Sequence, residues 1–226
     1  MTRRAPRSFG SLRVVRRPAP PTKPPTAVIF DLGGVLIDWD PRHLYRGLFA
    51  DTADMEAFLA EVATPAWNEE QDAGRPWPDA IAALVERHPD QRELIEAFHG
   101  RWPEMLGGPI DGTADLLLEL RTEGVRLYAL SNWSAETFPI ARRRYPFLEW
   151  FDGIVISGEV GVIKPDPGIF EHLVARYAIE PGTAVFIDDS AVNVEAADRL
   201  GFIALRFVDA PSLRRDLEEL GLLRRA

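Results

Sequence analysis

Residues 26–41, TAVIFDLGGVLIDWDP, place an acid directly after a short apolar run and leave two glycines just beyond it. The run at 26–30 is apolar and ends at Asp31, a pattern typical of a buried β-strand. In sheets of parallel strands, ligands bind at the carboxyl ends of the strands. The stretch therefore predicts a strand that delivers the Asp31 carboxylate to a functional edge.

Four further apolar runs have the same character, and helical patterns lie between the later ones. The strand candidates are VRLYALS at 125–131, GIVIS at 153–157, TAVFIDD at 183–189 and FIALRF at 202–207. The helical candidates are DGTADLLLELRTEG, with Asp111 and Thr113 as capping residues, DPGIFEHLVARYAI, and SAVNVEAADRLG. Repeated alternation of strand and helix predicts an α/β fold with a parallel sheet covered on both faces.

Residues 41–106 interrupt this alternation with helical patterns and without a convincing strand. The segments DMEAFLAEVA, PDAIAALVERH and QRELIEAFHGRW indicate a small all-helical cap inserted after the first strand. The catalytic core is then expected at 26–40 and 107–226. Four tryptophans lie in or beside the insertion, and we interpret most of them as packing residues: Trp39, Trp67, Trp77 and Trp102.

Composition excludes several classes of protein. The 226-residue chain has no cysteine, so disulfides and thiol nucleophiles are excluded, and its apolar runs are too short for a membrane span. Residues 1–25 carry seven Lys or Arg and no acid, and their Pro- and Arg-rich composition predicts a disordered tail, with a transit peptide or nucleic-acid arm as the alternative. The remaining chain has 19 basic and 35 acidic residues, a net charge of −16. We expect a cytoplasmic monomer or homodimer with no nucleic-acid or membrane partner.

Lysine is nearly absent from this Arg-rich chain. Outside the tail only Lys164 remains, in the segment GVIKPDPGIF. An ammonium is a compact point charge, whereas a guanidinium is a planar fork. The retained lysine therefore indicates a site that needs a point charge.

Three carboxylates at one edge of a parallel sheet require a common partner. Asp188 and Asp189 end one apolar strand and Asp31 ends another, and a hard divalent cation such as Mg²⁺ satisfies such a group with oxygen ligands. The Ser131 hydroxyl and the Lys164 ammonium are donors suited to phosphoryl oxygens. In this interpretation Asp31 attacks phosphorus and forms an aspartyl-phosphate, which water then hydrolyses.

The motifs DLGGVL, LSN, KPDPGIF and FIDDSAVN occur in the order found in the haloacid dehalogenase superfamily, which residues 26–210 resemble. The resemblance implies a Rossmann-like core with a helical cap. It also implies Asp31 as nucleophile and Ser131, Asn132 and Lys164 as catalytic or phosphate-binding residues. The implied magnesium site consists of Asp31, the Gly33 carbonyl, Asp188 and Asp189.

Gly33 departs from the family pattern, because phosphatases of this family usually carry a second aspartate there as general acid. DLGGVL resembles in particular the branch that contains bacterial glucose-1-phosphate phosphatase, so a sugar phosphate is one candidate substrate. Three explanations stay open: a good leaving group, another acid such as Asp38, Asp40 or a residue of the cap, or a different function. The alternative functions are a metal-independent 2-haloacid dehalogenase, with Arg42, Arg46 or Arg75 as halide ligand, and an inactive phosphate- and metal-binding protein.

Overall fold

The computed structural model describes residues 24–225, so the predicted tail lies almost wholly outside the described residues. The strands within this range, numbered in chain order, are β1 Ala27–Phe30, β2 Ile37–Trp39, β3 Leu106–Pro109, β4 Arg126–Ser131, β5 Gly153–Ile156, β6 Ala184–Asp188 and β7 Ile203–Arg206. Five of them form a sheet in the order β5-β4-β1-β6-β7, and every neighbouring pair in it is parallel. The predicted α/β fold and its five strands are confirmed.

Helices surround the sheet. The α-helices of the described residues are α1 Pro41–Tyr45, α2 Thr52–Glu61, α3 Pro65–Asp72, α4 Trp77–Arg87, α5 Arg92–Gly100, α6 Thr113–Thr122, α7 Phe138–Arg144, α8 Ser157–Val160, α9 Pro167–Tyr177, α10 Ala191–Arg199 and α11 Ala210–Glu219. Helices α1 to α5 lie between β2 and β3, within the segment where the sequence predicts a cap. The division of the chain into core and cap stays a prediction. None of the described helices is long and apolar enough to span a membrane.

Two local predictions need correction. Strand β3 pairs antiparallel with β2 and begins inside the segment for which no strand was expected. Helix α6 is not capped by Asp111 or Thr113, because its N-cap residue is Gly112, in a left-handed conformation with φ of 77°. The Thr113 hydroxyl instead donates to the Ile110 carbonyl at 2.7 Å.

The alternation of side chains along β1 divides the core between the two faces of the sheet. Val28 and Phe30 belong to one buried cluster, and Ala27 and Ile29 to the other. The first cluster continues from the sheet into the inserted helices, where it includes Trp77 and other large side chains. The inserted helices therefore share one continuous core with this face of the sheet.

Candidate active site

Asp31 directly follows the central strand β1, and its side chain lies in a dense set of donors. Its Oδ1 accepts hydrogen bonds from the Leu32 backbone N–H and from the Ser131 hydroxyl, both at 2.7 Å. Its Oδ2 lies 3.0 Å from the Lys164 Nζ. Burial raises the pKa of the Asp31 carboxyl, and the charge of Lys164 opposes this rise. The contacts fix the orientation of the carboxylate that the sequence predicts as the nucleophile.

Lys164 joins two strand ends. Its ammonium is fully buried and lies 2.7 Å from Asp188 as well as 3.0 Å from Asp31. Burial alone would lower the pKa of Lys164, but the two carboxylates outweigh it and raise that pKa. The lysine singled out by composition is therefore a charged residue at the centre of the acidic site.

The two acids at the carboxyl end of β6, Asp188 and Asp189, differ in their surroundings. Asp188 is fully buried, and it accepts hydrogen bonds from Lys164, the Ser190 backbone N–H and the Asn193 amide. Asp189 is exposed as a residue. The pKa of its carboxyl is nevertheless raised, first by partial removal of that carboxyl from water and second by the negative charge of Asp188. Asp188 is thus committed to contacts within the protein, whereas Asp189 presents its carboxylate to the opening of the site.

A magnesium ion fits this group of acids. Carboxylate oxygens of Asp31, Asp188 and Asp189 lie within 4.8 Å of one another. All three donors are hard oxygens, the ligand type that Mg²⁺ prefers. The Gly33 carbonyl as a further ligand stays a prediction.

Asn132 and Ser131 make contacts that the sequence alone did not indicate. The Asn132 amide accepts from the Lys164 backbone N–H at 2.7 Å and donates to the Lys164 carbonyl at 2.9 Å. Ser131 donates to Asp31, as described above, so both residues orient the charged side chains. Their contacts with phosphate stay a prediction.

Gly33 borders a narrow cavity of about 60 Å³ next to this site. A Cβ atom built on Gly33 would meet no atom within 4 Å, so the space beside it is open. An open groove of about 780 Å³ shares several of its wall residues. The narrow cavity, hereafter the Gly33 cavity, is lined by Gly33, Trp39, Asn68, Asp72, Trp102, Asn132, Trp133 and Thr137.

The tryptophans of the insertion divide into two groups. Trp39 and Trp102 line the Gly33 cavity, whereas Trp67 and Trp77 pack edge to face against each other at 5.6 Å in the core of the insertion. The indole N–H groups of Trp39 and Trp133 are buried and donate to no residue that the structure describes. The cavity wall therefore contains donors for an oxygen-bearing ligand.

The acids proposed from sequence as substitutes for the missing general acid are engaged elsewhere. Asp38 pairs with His43 at 2.9 Å, and its side chain is 49% exposed. Asp40 caps helix α1 by accepting from the Arg42 backbone N–H at 2.9 Å. Asp72, an acid of the inserted segment, lies in the Gly33 cavity instead.

The comparisons with known proteins bear on this site. The model of the haloacid dehalogenase-like hydrolases matches residues 25–201. The chain belongs to this family. The sesquiterpene phosphatase astK of Aspergillus oryzae is 28% identical over 194 residues, which cover 86% of this chain and 95% of the relative.

Two solved structures share the fold. A magnesium complex of a family enzyme from Bacteroides thetaiotaomicron has a TM-score of 0.66 at 24% identity, over 83% of this chain and 95% of the other. A dehalogenase with an intermediate complex has a TM-score of 0.63 at 18% identity, over 83% of this chain and 86% of the other. The family membership makes the chain a hydrolase.

Proposed function

We propose that the chain is a Mg²⁺-dependent phosphatase that hydrolyses a small phosphorylated metabolite, with sugar phosphates as one candidate class. The observation that carries the proposal is the cluster of three carboxylates around Asp31, with oxygens within 4.8 Å of one another. A bound divalent cation would satisfy these charges and bring a phosphoryl group to the nucleophile. Similarity to a named phosphatase along most of the chain supports the same function.

The protein side chains account for the two chemical steps. A carboxylate oxygen of Asp31 attacks phosphorus, the bond from phosphorus to the ester oxygen breaks, and its electron pair leaves with that oxygen. Water then attacks phosphorus of the aspartyl-phosphate, and phosphate and the Asp31 carboxylate are released. Lys164 and Ser131 hold Asp31 in place at 3.0 Å and 2.7 Å, respectively.

Asp31 and Asp189, with Asp188 behind them, would hold the metal. When bound, Mg²⁺ supplies positive charge that offsets the negative charge of the phosphoryl oxygens. Asp188 accepts a hydrogen bond from the Lys164 ammonium and so holds it in position. The Asn193 amide in turn donates to Asp188 at 3.1 Å and fixes the orientation of that carboxylate.

The dehalogenase alternative has less support in the contacts around the site. None of the described residues that line the Gly33 cavity is Lys or Arg. Arg42 makes two hydrogen bonds to Glu56, at 2.6 and 2.7 Å, and Arg75 pairs with Glu70 at 2.5 Å. Two of the three guanidinium groups proposed as halide ligands, those of Arg42 and Arg75, are therefore already paired with carboxylates.

A substrate screen tests the function. Purified protein with Mg²⁺ is expected to release phosphate from some members of a panel that includes hexose 1-phosphates and 6-phosphates, and a chelator should abolish the release. Asp31→Asn should abolish turnover because it removes the nucleophile, whereas Asp198→Asn, at an exposed acid of α10, should retain it. Full activity in chelator, or halide release from a 2-chloroacid, would contradict the proposal.

A further inference from the structure

Asp72 is the one carboxyl group among the described residues that line the Gly33 cavity. Asp72 is the last residue of helix α3 in the insertion, yet it faces the same cavity as Gly33. Gly33 follows the proposed nucleophile, Asp31, by two residues. The cavity connects the position where the family's usual acid is missing with a carboxyl group from another part of the chain. The open groove beside it also includes Asp72 in its wall.

Contacts on two sides hold Asp72 in this position. The Asn68 amide donates to its Oδ2 at 2.9 Å, and the Ser157 hydroxyl of α8 donates to its backbone carbonyl at 2.5 Å. The second contact fastens the end of α3 to the sheet domain. Asp72 is therefore partly buried and is positioned by both parts of the chain.

The surroundings of Asp72 favour its protonated form near neutral pH. Burial raises the pKa of the Asp72 carboxyl to about 7; the Ser134 backbone N–H opposes the rise, and the charges of Glu69 on α3 and Asp31 after β1 add to it. Asp72 also lies at the carboxyl end of α3, where the helix dipole disfavours a negative charge. A carboxyl group with a pKa near 7 keeps its proton up to about neutral pH and can therefore donate it to a leaving oxygen.

We infer that Asp72 is the general acid that protonates the leaving oxygen, in the place of the aspartate that Gly33 lacks. This inference rests on the proposed phosphatase function. The acid is supplied across the Gly33 cavity from helix α3 and not from the loop after β1. An alkyl leaving group, which departs poorly as an alkoxide, is then within the range of this enzyme.

The proton balance closes over the two steps. In the first step Asp31 forms its bond to phosphorus, the ester bond breaks, and the Asp72 proton passes to the leaving oxygen, which departs as an alcohol. Asp72 is then a carboxylate. In the second step it accepts a proton from the attacking water, the bond from Asp31 to phosphorus breaks, and phosphate leaves with Asp72 protonated again.

The test compares two leaving groups in one enzyme. General acid catalysis is typically worth about a hundredfold to ten-thousandfold on a poor leaving group and little on an activated aryl oxygen. Asp72→Asn should therefore lower kcat/KM about a hundredfold or more on an alkyl phosphate and only slightly on 4-nitrophenyl phosphate. Glu70→Gln, at an exposed acid of the same helix, should leave the ratio of the two rates unchanged.

The pH dependence of that ratio gives a readout that a structural role would not move. In the unsubstituted protein the ratio of alkyl to aryl rates should fall as pH rises above about 7, the pKa of Asp72, because the acid is then deprotonated. Asp72→Asn should make the ratio independent of pH. Glu69→Gln removes a negative charge that raises the pKa of Asp72, so it should move the fall to lower pH.

A rescue variant separates loss of the acid from a disturbance of the fold, because only loss of the acid can be restored by a carboxyl group at another position. Adding Gly33→Asp to Asp72→Asn should restore part of the alkyl phosphatase activity, because the space beside Gly33 is open. An unchanged ratio and pH profile in Asp72→Asn, or an equal loss on both substrates, would overturn the assignment of Asp72 while leaving the phosphatase function intact. Failure of the unsubstituted protein to hydrolyse either ester would instead contradict the phosphatase function itself.

Discussion

Two adjacent glycines after β1 have different physical requirements. Gly34 has φ of 72°, a left-handed conformation that costs other residues about 1–2 kcal/mol, and a Cβ there would lie 2.7 Å from the Asp189 Oδ2. Gly33 has no positive φ and has open space beside it. Gly34 therefore makes room for the Asp189 carboxylate, whereas Gly33 makes room for whatever occupies the cavity.

The pair gives a matched test at the scale of single residues. Gly34→Ala should displace the Asp189 carboxylate, weaken Mg²⁺ binding and lower kcat about a hundredfold, the effect of a misplacement of about 1 Å. Gly33→Ala should leave Mg²⁺ binding unchanged because its Cβ meets no atom within 4 Å. Titration calorimetry with Mg²⁺ measures both affinities. Equal Mg²⁺ affinity in the two variants would exclude Asp189 as a metal ligand.

At the scale of elements, helix α4 is fastened to the loop after β4 by Trp77. Its backbone N–H donates to the Glu136 Oε1, and its indole N–H donates to the Ser134 hydroxyl, both at 3.0 Å. The Ser134 backbone N–H in turn donates to the Asp72 carboxyl group. These bonds set the position of the inserted helices relative to the active site.

Trp77→Phe and Trp67→Phe separate this hydrogen bond from packing. Both indoles are buried in the same cluster, but the Trp67 N–H has no partner among the described residues. Both variants lose ring volume, and Trp77→Phe additionally removes the indole donor to the Ser134 hydroxyl, which then keeps the Glu136 backbone N–H at 3.2 Å, at a cost of about 1 kcal/mol. Thermal unfolding should therefore show Trp77→Phe melting about 2–4 °C below Trp67→Phe. Identical melting temperatures would show that the hydrogen bond contributes nothing to stability.

The elements also mark what could be predicted from the sequence. Local patterns predict the five strands of the sheet and the acids at the carboxyl ends of β1 and β6. An apolar run that ends in a polar residue is visible in the sequence without any tertiary contact. Strand β3, with the sequence LGGP, has no alternating pattern and exists through its pairing with β2. The position of Asp72 could not be predicted, because its polar neighbours in the sequence are typical of an exposed helix. Its position depends on a contact with Ser157 of α8, which lies 85 residues further along the chain.

At the scale of the whole molecule, folding assembles the active site from distant parts of the chain. Asp31, Ser131 and Asp188 reach one edge because β4, β1 and β6 are adjacent and parallel. In the unfolded chain the Asp31 carboxylate is far from those of Asp188 and Asp189, so a cation that needs all three binds only the folded state. Binding of that kind raises the free energy of unfolding by an amount set by the ion concentration relative to its Kd.

Magnesium should therefore raise the melting temperature. At a concentration about 100 times the Kd the gain is about 2.7 kcal/mol, which corresponds to a shift of about 5–10 °C for a chain of this size. Residues 26–226 carry a net charge of −16, so Mg²⁺ can also bind weakly to acids scattered over the surface. The sample without Mg²⁺ therefore contains NaCl at the same ionic strength. Asp189→Asn should remove most of the shift, since it removes the accessible carboxylate of the cluster, and Asp198→Asn should keep it. The same shift in both variants would place the bound ion elsewhere on the acidic surface.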